Sequence, residues 1–132
     1  VTALTMASEI TLVLQQSTLH VRNTTRLLRI LREELGVPQE RVRLLVNRHS
    51  RKLALQTEDI TSAVSMPVHA TIPSHYQAAL ESSDAGVPLL DSDRTSPMCR
   101  SLVEIVDRMT GTRTERASLL HRALPAFLRN ST

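Results

Sequence analysis

Val42-Arg43-Leu44-Leu45-Val46-Asn47-Arg48-His49 sets a short apolar run against an abrupt polar end. The run Val42–Val46 is too short for an amphipathic helix and has the length and β-branched content of a buried strand. Two other segments have the same character. Ile10–Leu14 reads Ile-Thr-Leu-Val-Leu, and in Pro67–Ile72 the residues Val68, Ala70 and Ile72 alternate before Pro73 closes the segment.

What lies between these runs has helical period. From about Leu19 to Leu35, the residues Val21, Leu28, Leu31 and Leu35 fall on one face, joined by Leu27 and Ile30. Ser17 or Thr18 can cap that helix, Gly36 supplies a left-handed exit, and Pro38 prevents continuation. Thr57 is expected to cap a short helix with Glu58 and Asp59 in its first turn. Ser74 and Gln77 have capping-box spacing, which predicts a helix from His75 to near Gly86. Ser96-Pro97 opens another, with Met98, Leu102, Ile105, Val106 and Met109 at helical spacing and Gly111 at its end. Thr114 would cap a last amphipathic segment that Pro125 bends. Residues Val1 to Ala7 suit the last turns of a preceding helix.

Strands separated by helices imply right-handed crossovers and a parallel sheet. The expected fold is α/β, a three-stranded parallel sheet with flanking helices. Ligands of such sheets sit beyond the carboxyl ends of the strands. Here those ends are Gln15-Gln16-Ser17, Asn47-Arg48-His49 and Pro73-Ser74-His75.

Composition bounds the rest. The 132 residues make one domain, with a core built from aliphatic side chains, because Tyr76 and Phe127 are the two aromatics and tryptophan is absent. Aromatic cages and base-stacking platforms are thereby excluded. Cys99 is the single cysteine, so no disulfide framework exists, and a reducing cytoplasm is expected. Neither a transmembrane run nor a signal sequence is visible. The net charge of +3 is mild, and Lys52 is the one lysine among 16 basic residues. The chain opens on Val1 rather than Met and reads as part of a longer protein.

The motifs that carry chemistry are mostly missing. Glycine occurs at 36, 86 and 111, which leaves no room for a Walker A loop or a dinucleotide fingerprint. His20, His49, His69, His75 and His121 include no zinc-site pair, and no metal residues are expected. Ser74-His75 lacks the acid and the nucleophile-elbow context of a hydrolase. Cys99 sits beside core positions and suits a buried thiol. No acidic cluster ends a strand, which disfavours a phospho-acceptor domain. Arg22, Arg26 and Arg29 share one helix face; solvation is the default, with Glu33 four residues from Arg29 to offset it, and DNA, acidic lipid or an acidic partner is the sharper reading. Asn47, an amide at a strand's carboxyl end, has the donor and acceptor that match an adenine edge. It also has the residue type that simply tolerates a turn.

Longer stretches bring a resemblance. Leu35-Gly36-Val37-Pro38, Glu40-Arg41-Val42-Arg43-Leu44-Leu45-Val46-Asn47-Arg48, Pro67-Val68-His69-Ala70-Thr71-Ile72-Pro73-Ser74-His75-Tyr76 and Ala85-Gly86-Val87-Pro88-Leu89 together resemble the C-terminal half of CpaE/TadZ-like pilus-assembly proteins. These are MinD/ParA-type deviant Walker P-loop ATPases. The resemblance covers roughly residues 1–110. It implies that 1–111 is the C-terminal portion of a MinD/ParA-like α/β domain; 112–132, outside the resemblance, is expected to be a helical extension. It also implies that Asn47 recognises the adenine, with Arg48, Pro73 and Ser74 walling the pocket. The family commonly has Asn-Asp after Ile-Pro, where this chain has Ser74-His75.

The family's phosphate loop and magnesium-binding aspartates would precede Val1. ATP or ADP with magnesium is therefore expected in the full-length parent, with no tight binding to this segment and no catalysis by it alone. The resemblance further implies a nucleotide-dependent homodimer, partners among Flp/Tad pilus or secretion-assembly proteins, and a cytoplasmic protein recruited through partners to the inner membrane face or a pole. An open sheet edge is expected to favour self-association. Nucleic acid is not expected as a partner. The alternatives are a nucleotide-free scaffold of the same fold and a ParA-like partitioning protein that binds DNA nonspecifically.

Overall fold

The computed structural model describes residues 2–111. The segment expected to form a helix from Thr114, and with it the 112–132 extension, lies outside the described residues. The chain divides into two compact units, Val1–Ser101 and Leu102–Thr132.

The first unit is built on three strands, β1 (Ile10–Leu14), β2 (Val42–His49) and β3 (Val68–Pro73), all parallel and in the order β1-β2-β3. Helix α1 (Thr2–Met6) precedes β1, α2 (Thr18–Arg29) joins β1 to β2, and α3 (Thr57–Val64) joins β2 to β3. Helices α4 (Tyr76–Ala85), α5 (Leu89–Ser92) and α6 (Pro97–Thr110) follow. The parallel α/β architecture expected from the order of the segments is the one observed. The short α5 was not expected.

One face of the sheet carries the core. Ile10 and Leu14 of β1, and Val42, Leu44 and Val46 of β2, pack with Val21, Leu31, Val37, Ile60, Val64 and Met66. Period-2 alternation puts these strand residues on the α2–α3 side. On the opposite face Leu45 and Ile72 are buried, whereas Val13 is 58% exposed. Leu44 and Val46 have no exposed surface, as expected of the middle strand. Near the amino ends, Arg43 Nε pairs with Glu9 Oε1, and Arg41 Nη2 donates to the Thr5 carbonyl at 3.1 Å, which ties α1 to the sheet.

Helix ends follow their signals with informative departures. Ser17 is the cap of α2; its Oγ accepts from His20 N at 3.3 Å. The helix then widens into a π turn over Ile30–Glu34, with Leu35 N–H donating to the Ile30 carbonyl at 3.1 Å. Within this turn Glu33 pairs with the adjacent Arg32 at 3.2 Å rather than with Arg29. The expected Arg29–Glu33 offset is therefore not made.

Gly36 (φ +63°) reverses the chain, and Val37 N–H donates to the Leu31 carbonyl at 2.8 Å. A Cβ at Gly36 would meet nothing within 4 Å, so only the backbone conformation disfavours alanine. Gly36→Ala should cost about 1 kcal/mol in urea denaturation, with an unchanged denaturant slope.

Two caps differ from expectation. Helix α3 is capped at Gln56, whose N–H donates to the Asp59 carboxylate at 2.8 Å, and Thr57 is its first residue. Asp59 falls three residues beyond Gln56, and that spacing sets the cap. Helix α4 starts at Tyr76 with His75 at the cap position and no side-chain cap bond. Ser74 lies one residue before that cap, where its N–H donates to the His49 carbonyl at 3.1 Å. At α6, Ser96 Oγ accepts from Cys99 N at 3.1 Å beside Pro97, as the sequence predicts. Cys99 is buried. In the second unit, the described residues complete α6; Ile105 is buried, and Leu102, Val106 and Met109 are exposed.

Candidate functional site

The carboxyl ends of the three strands lie side by side because the strands are parallel. Register does the rest. Along β1 and β2 the partners run evenly from Ile10 with Val42 to Leu14 with Val46. Between β2 and β3 the register shifts twice. Leu44 pairs with Val68 and Leu45 with Ala70, so His69 is the extra residue of a bulge in β3. Its ring Nδ1 accepts from Leu44 N at 3.4 Å. Further on, Val46 pairs with Thr71 and His49 with Pro73, so β2 now holds the extra residue. The second bulge undoes the first and falls on Asn47-Arg48.

Arg48 takes the left-handed conformation (φ +53°) that ordinary side chains avoid at a cost of about 1–2 kcal/mol. Asn47 stabilises it. Its Oδ1 accepts the Arg48 N–H at 2.8 Å. The expected strand of Val42–Val46 therefore runs three residues further, to His49. The polar residues at its tip are held by pairing with β3 rather than released into a loop. The four residues singled out from sequence converge as follows. Asn47 and Pro73 are half-buried, Arg48 and Ser74 are exposed, and His49 bridges the pairs by its register with Pro73 and its bond to Ser74.

Asn47 retains two amide hydrogens and one carbonyl lone pair for a ligand. Strained backbone at a strand tip is a common property of ligand sites.

Gln16 is the residue that sequence reasoning passed over as part of a polar turn. It is buried two residues beyond the end of β1. Its Nε2 donates to the Leu55 carbonyl at 2.8 Å and its Oε1 accepts from Ser50 N at 2.7 Å. One amide thus clamps both ends of the loop between β2 and α3 to the tip of β1. A long polar side chain directly behind a buried strand was the available signal. His75 also faces inward, with a buried Nδ1 that has no partner among the described residues.

Among the described residues no group of three or more His, Cys, Asp or Glu side chains could hold a metal ion.

Two solved structures are similar to this chain in fold. One is the ParA family ATPase from Chlorobium tepidum TLS, with a TM-score of 0.69 and 23% identity over 76% of this chain. The other is the MinD cell division protein of Aquifex aeolicus, with a TM-score of 0.71 and 19% identity over 83% of this chain. The fold is that of the MinD/ParA-type ATPases. The chain spans 41% of the first structure and 46% of the second, less than half of either. No protein-family model and no curated protein matches the sequence. The MinD/ParA-type fold accounts for the parallel sheet and its helices; at these identities the likeness extends to the fold alone. No described helix is long and apolar enough to cross a membrane.

Proposed function

We propose that this chain is the C-terminal portion of a CpaE/TadZ-like ATPase and supplies the base-side wall of its nucleotide site. The observation that carries the reading is the tip of β2. There a half-buried Asn47 amide stands on a left-handed Arg48 next to the 73–74 bend that β3 ties to His49.

The donor set suits adenine. One carboxamide presents a donor and an acceptor in one plane, matching the purine's ring nitrogen and amino group. Asn47 would hold the base, with Arg48, Pro73 and Ser74 around it. Bound ATP, with magnesium on its phosphates, supplies the γ-phosphoryl group whose loss switches such proteins. Residues upstream of this segment would hold that end. The 58% exposure of Val13 and the outer edge of β1, unpaired among the described residues, suit a sheet that continues into such an upstream half. In this reading the parent acts as a homodimer with pilus or secretion-assembly partners, in the cytoplasm, at the inner membrane face or a pole.

A scaffold of the same fold without nucleotide is the competing reading. Ser74-His75 favours it, since the resembled family commonly has Asn-Asp there.

Titration of a fluorescent ATP analogue into the complete gene product separates the two. Binding is expected, and Asn47→Ala should weaken it by about tenfold, as loss of a two-point amide contact to a base does. The preference for adenine over guanine nucleotides should shrink in parallel. Complete absence of nucleotide binding would establish the scaffold, and binding indifferent to Asn47→Ala would remove the base-wall assignment.

A further inference from the structure

The backbone register between β1 and β2 runs as far as Leu14 with Val46. Two residues past β1, Gln16 takes up the connection with its side chain, and its Oε1 accepts from Ser50 N at 2.7 Å. On the β3 side, His49 is in register with Pro73, and its carbonyl accepts from Ser74 N at 3.1 Å. Ser50 follows His49 directly. The same short stretch is therefore held from both flanks, by Gln16 and by Ser74. Asn47 and Arg48 form the bulge between that stretch and Val46, which is paired on both sides.

Gln16 is itself firmly mounted. It is buried, Ser17 N–H donates to the Gln15 carbonyl at 2.8 Å in a tight turn around it, and Ser17 is the cap of α2. Its Nε2 is engaged by the Leu55 carbonyl at 2.8 Å. Both ends of the amide thus serve backbone groups, which makes Gln16 a support rather than a ligand contact.

The bulge needs such support. Arg48 is left-handed (φ +53°), a conformation that persists in a non-glycine residue when the surroundings enforce it. Asn47 Oδ1 accepts the Arg48 N–H at 2.8 Å, so the aim of the Asn47 amide and the conformation of Arg48 change together. Without Gln16, Ser50 loses its tie to the β1 side, and the bulge is free to relax toward ordinary extended backbone.

We infer that Gln16 is a positioning residue of the base-side wall, which sets the aim of the Asn47 amide without touching the base. The inference rests on the base-wall reading of Asn47. It differs from a role in stability alone. General loosening weakens adenine and guanine nucleotides alike, whereas a misaimed amide loses the base edge it reads.

Two measurements on the complete gene product test it. In the first, ATP and GTP compete against a fluorescent ATP analogue. Gln16→Ala should reduce the preference for ATP over GTP by about threefold, the factor for an amide correctly aimed about a third of the time. Gln16→Met fills a similar volume without either bond; it should behave in the same way, and it carries the test if the alanine variant does not fold. Gln16→Glu keeps the bond from Ser50 N and should keep the preference although its stability falls. Gly36→Ala, destabilised at the exit of α2, should keep it too. In the second measurement, the three-bond coupling between the amide and α protons of Arg48 should rise toward the value of extended backbone in Gln16→Ala and stay unchanged in Gln16→Glu. An ATP preference unchanged in Gln16→Ala and Gln16→Met but reduced in Asn47→Ala overturns the inference and leaves the base-wall reading standing. Equal loss in Gln16→Ala and Gln16→Glu, or an Arg48 coupling indifferent to Gln16→Ala, overturns it as well. A gene product that binds no nucleotide, or whose preference ignores Asn47→Ala, removes the base-wall reading and the inference with it.

Discussion

Leu44→Ala is expected to destabilise the protein by about 3–5 kcal/mol. Leu44 has no exposed surface and sits in the middle strand, paired with Leu12 of β1 and Val68 of β3. It belongs to the cluster that joins the sheet to Leu31 and Ile60, two further large side chains with almost no exposure. Truncation removes three carbons from a site flanked on both sides by backbone that cannot collapse, so most of the cavity remains. Domains of this size have about 5–15 kcal/mol in total, and the variant should therefore be partly unfolded at modest urea concentrations. Val13→Ala is the control. Val13 lies on the neighbouring strand but is 58% exposed, and its truncation should cost less than about 1 kcal/mol. Comparable urea midpoints for the two variants would show that the core does not sit on the α2–α3 face.

Much of this framework is legible in the residues themselves. Ile10–Leu14 and Val42–Val46 are apolar runs of strand length bounded by polar residues, and they are strands. Ser17 and Ser96 act as caps, and Gly36 turns the chain, because each has few alternatives at its position. The departures turn on partners that local pattern does not reveal, one of them distant in sequence and the others close by. Asn47-Arg48-His49 looks like a loop until β3 supplies pairing partners for it. Thr57 looks like a cap until Asp59 reaches the N–H of Gln56. The π turn at Ile30–Glu34 leaves no mark in the periodicity, and within it Glu33 pairs with its neighbour Arg32.

The candidate site divides the same way. Asn47 is conspicuous as an amide behind a strand. The left-handed backbone of Arg48 is not, since it comes from a bulge whose register is set by the earlier bulge at His69. The arginine row of α2 is visible as an i, i+4, i+7 pattern.

Gln16→Ala is expected to cost about 2–3 kcal/mol, a large effect for a residue outside the apolar cluster. Gln16 is buried, and its amide satisfies two backbone groups far away in sequence, Ser50 N at 2.7 Å and the Leu55 carbonyl at 2.8 Å. Both lie in half-buried surroundings, so removing the amide leaves a donor and an acceptor partly cut off from water. The loss should also be local. Residues 51–54, including Arg51 and Lys52, are exposed and connect the tip of β2 to α3, and Gln16 is what fastens that loop to the tip of β1. Hydrogen exchange at the Ser50 amide should therefore accelerate more than exchange at Leu44 or Val46, which opens with the whole sheet. Gln16→Glu separates the two bonds: its oxygen still accepts from Ser50, but it can no longer donate to the Leu55 carbonyl, so Ser50 should stay protected while stability falls. A Gln16→Ala protein with unchanged urea midpoint and a protected Ser50 amide would mean that the loop is held by its own contacts, and the clamp would have no role in shaping the strand tips.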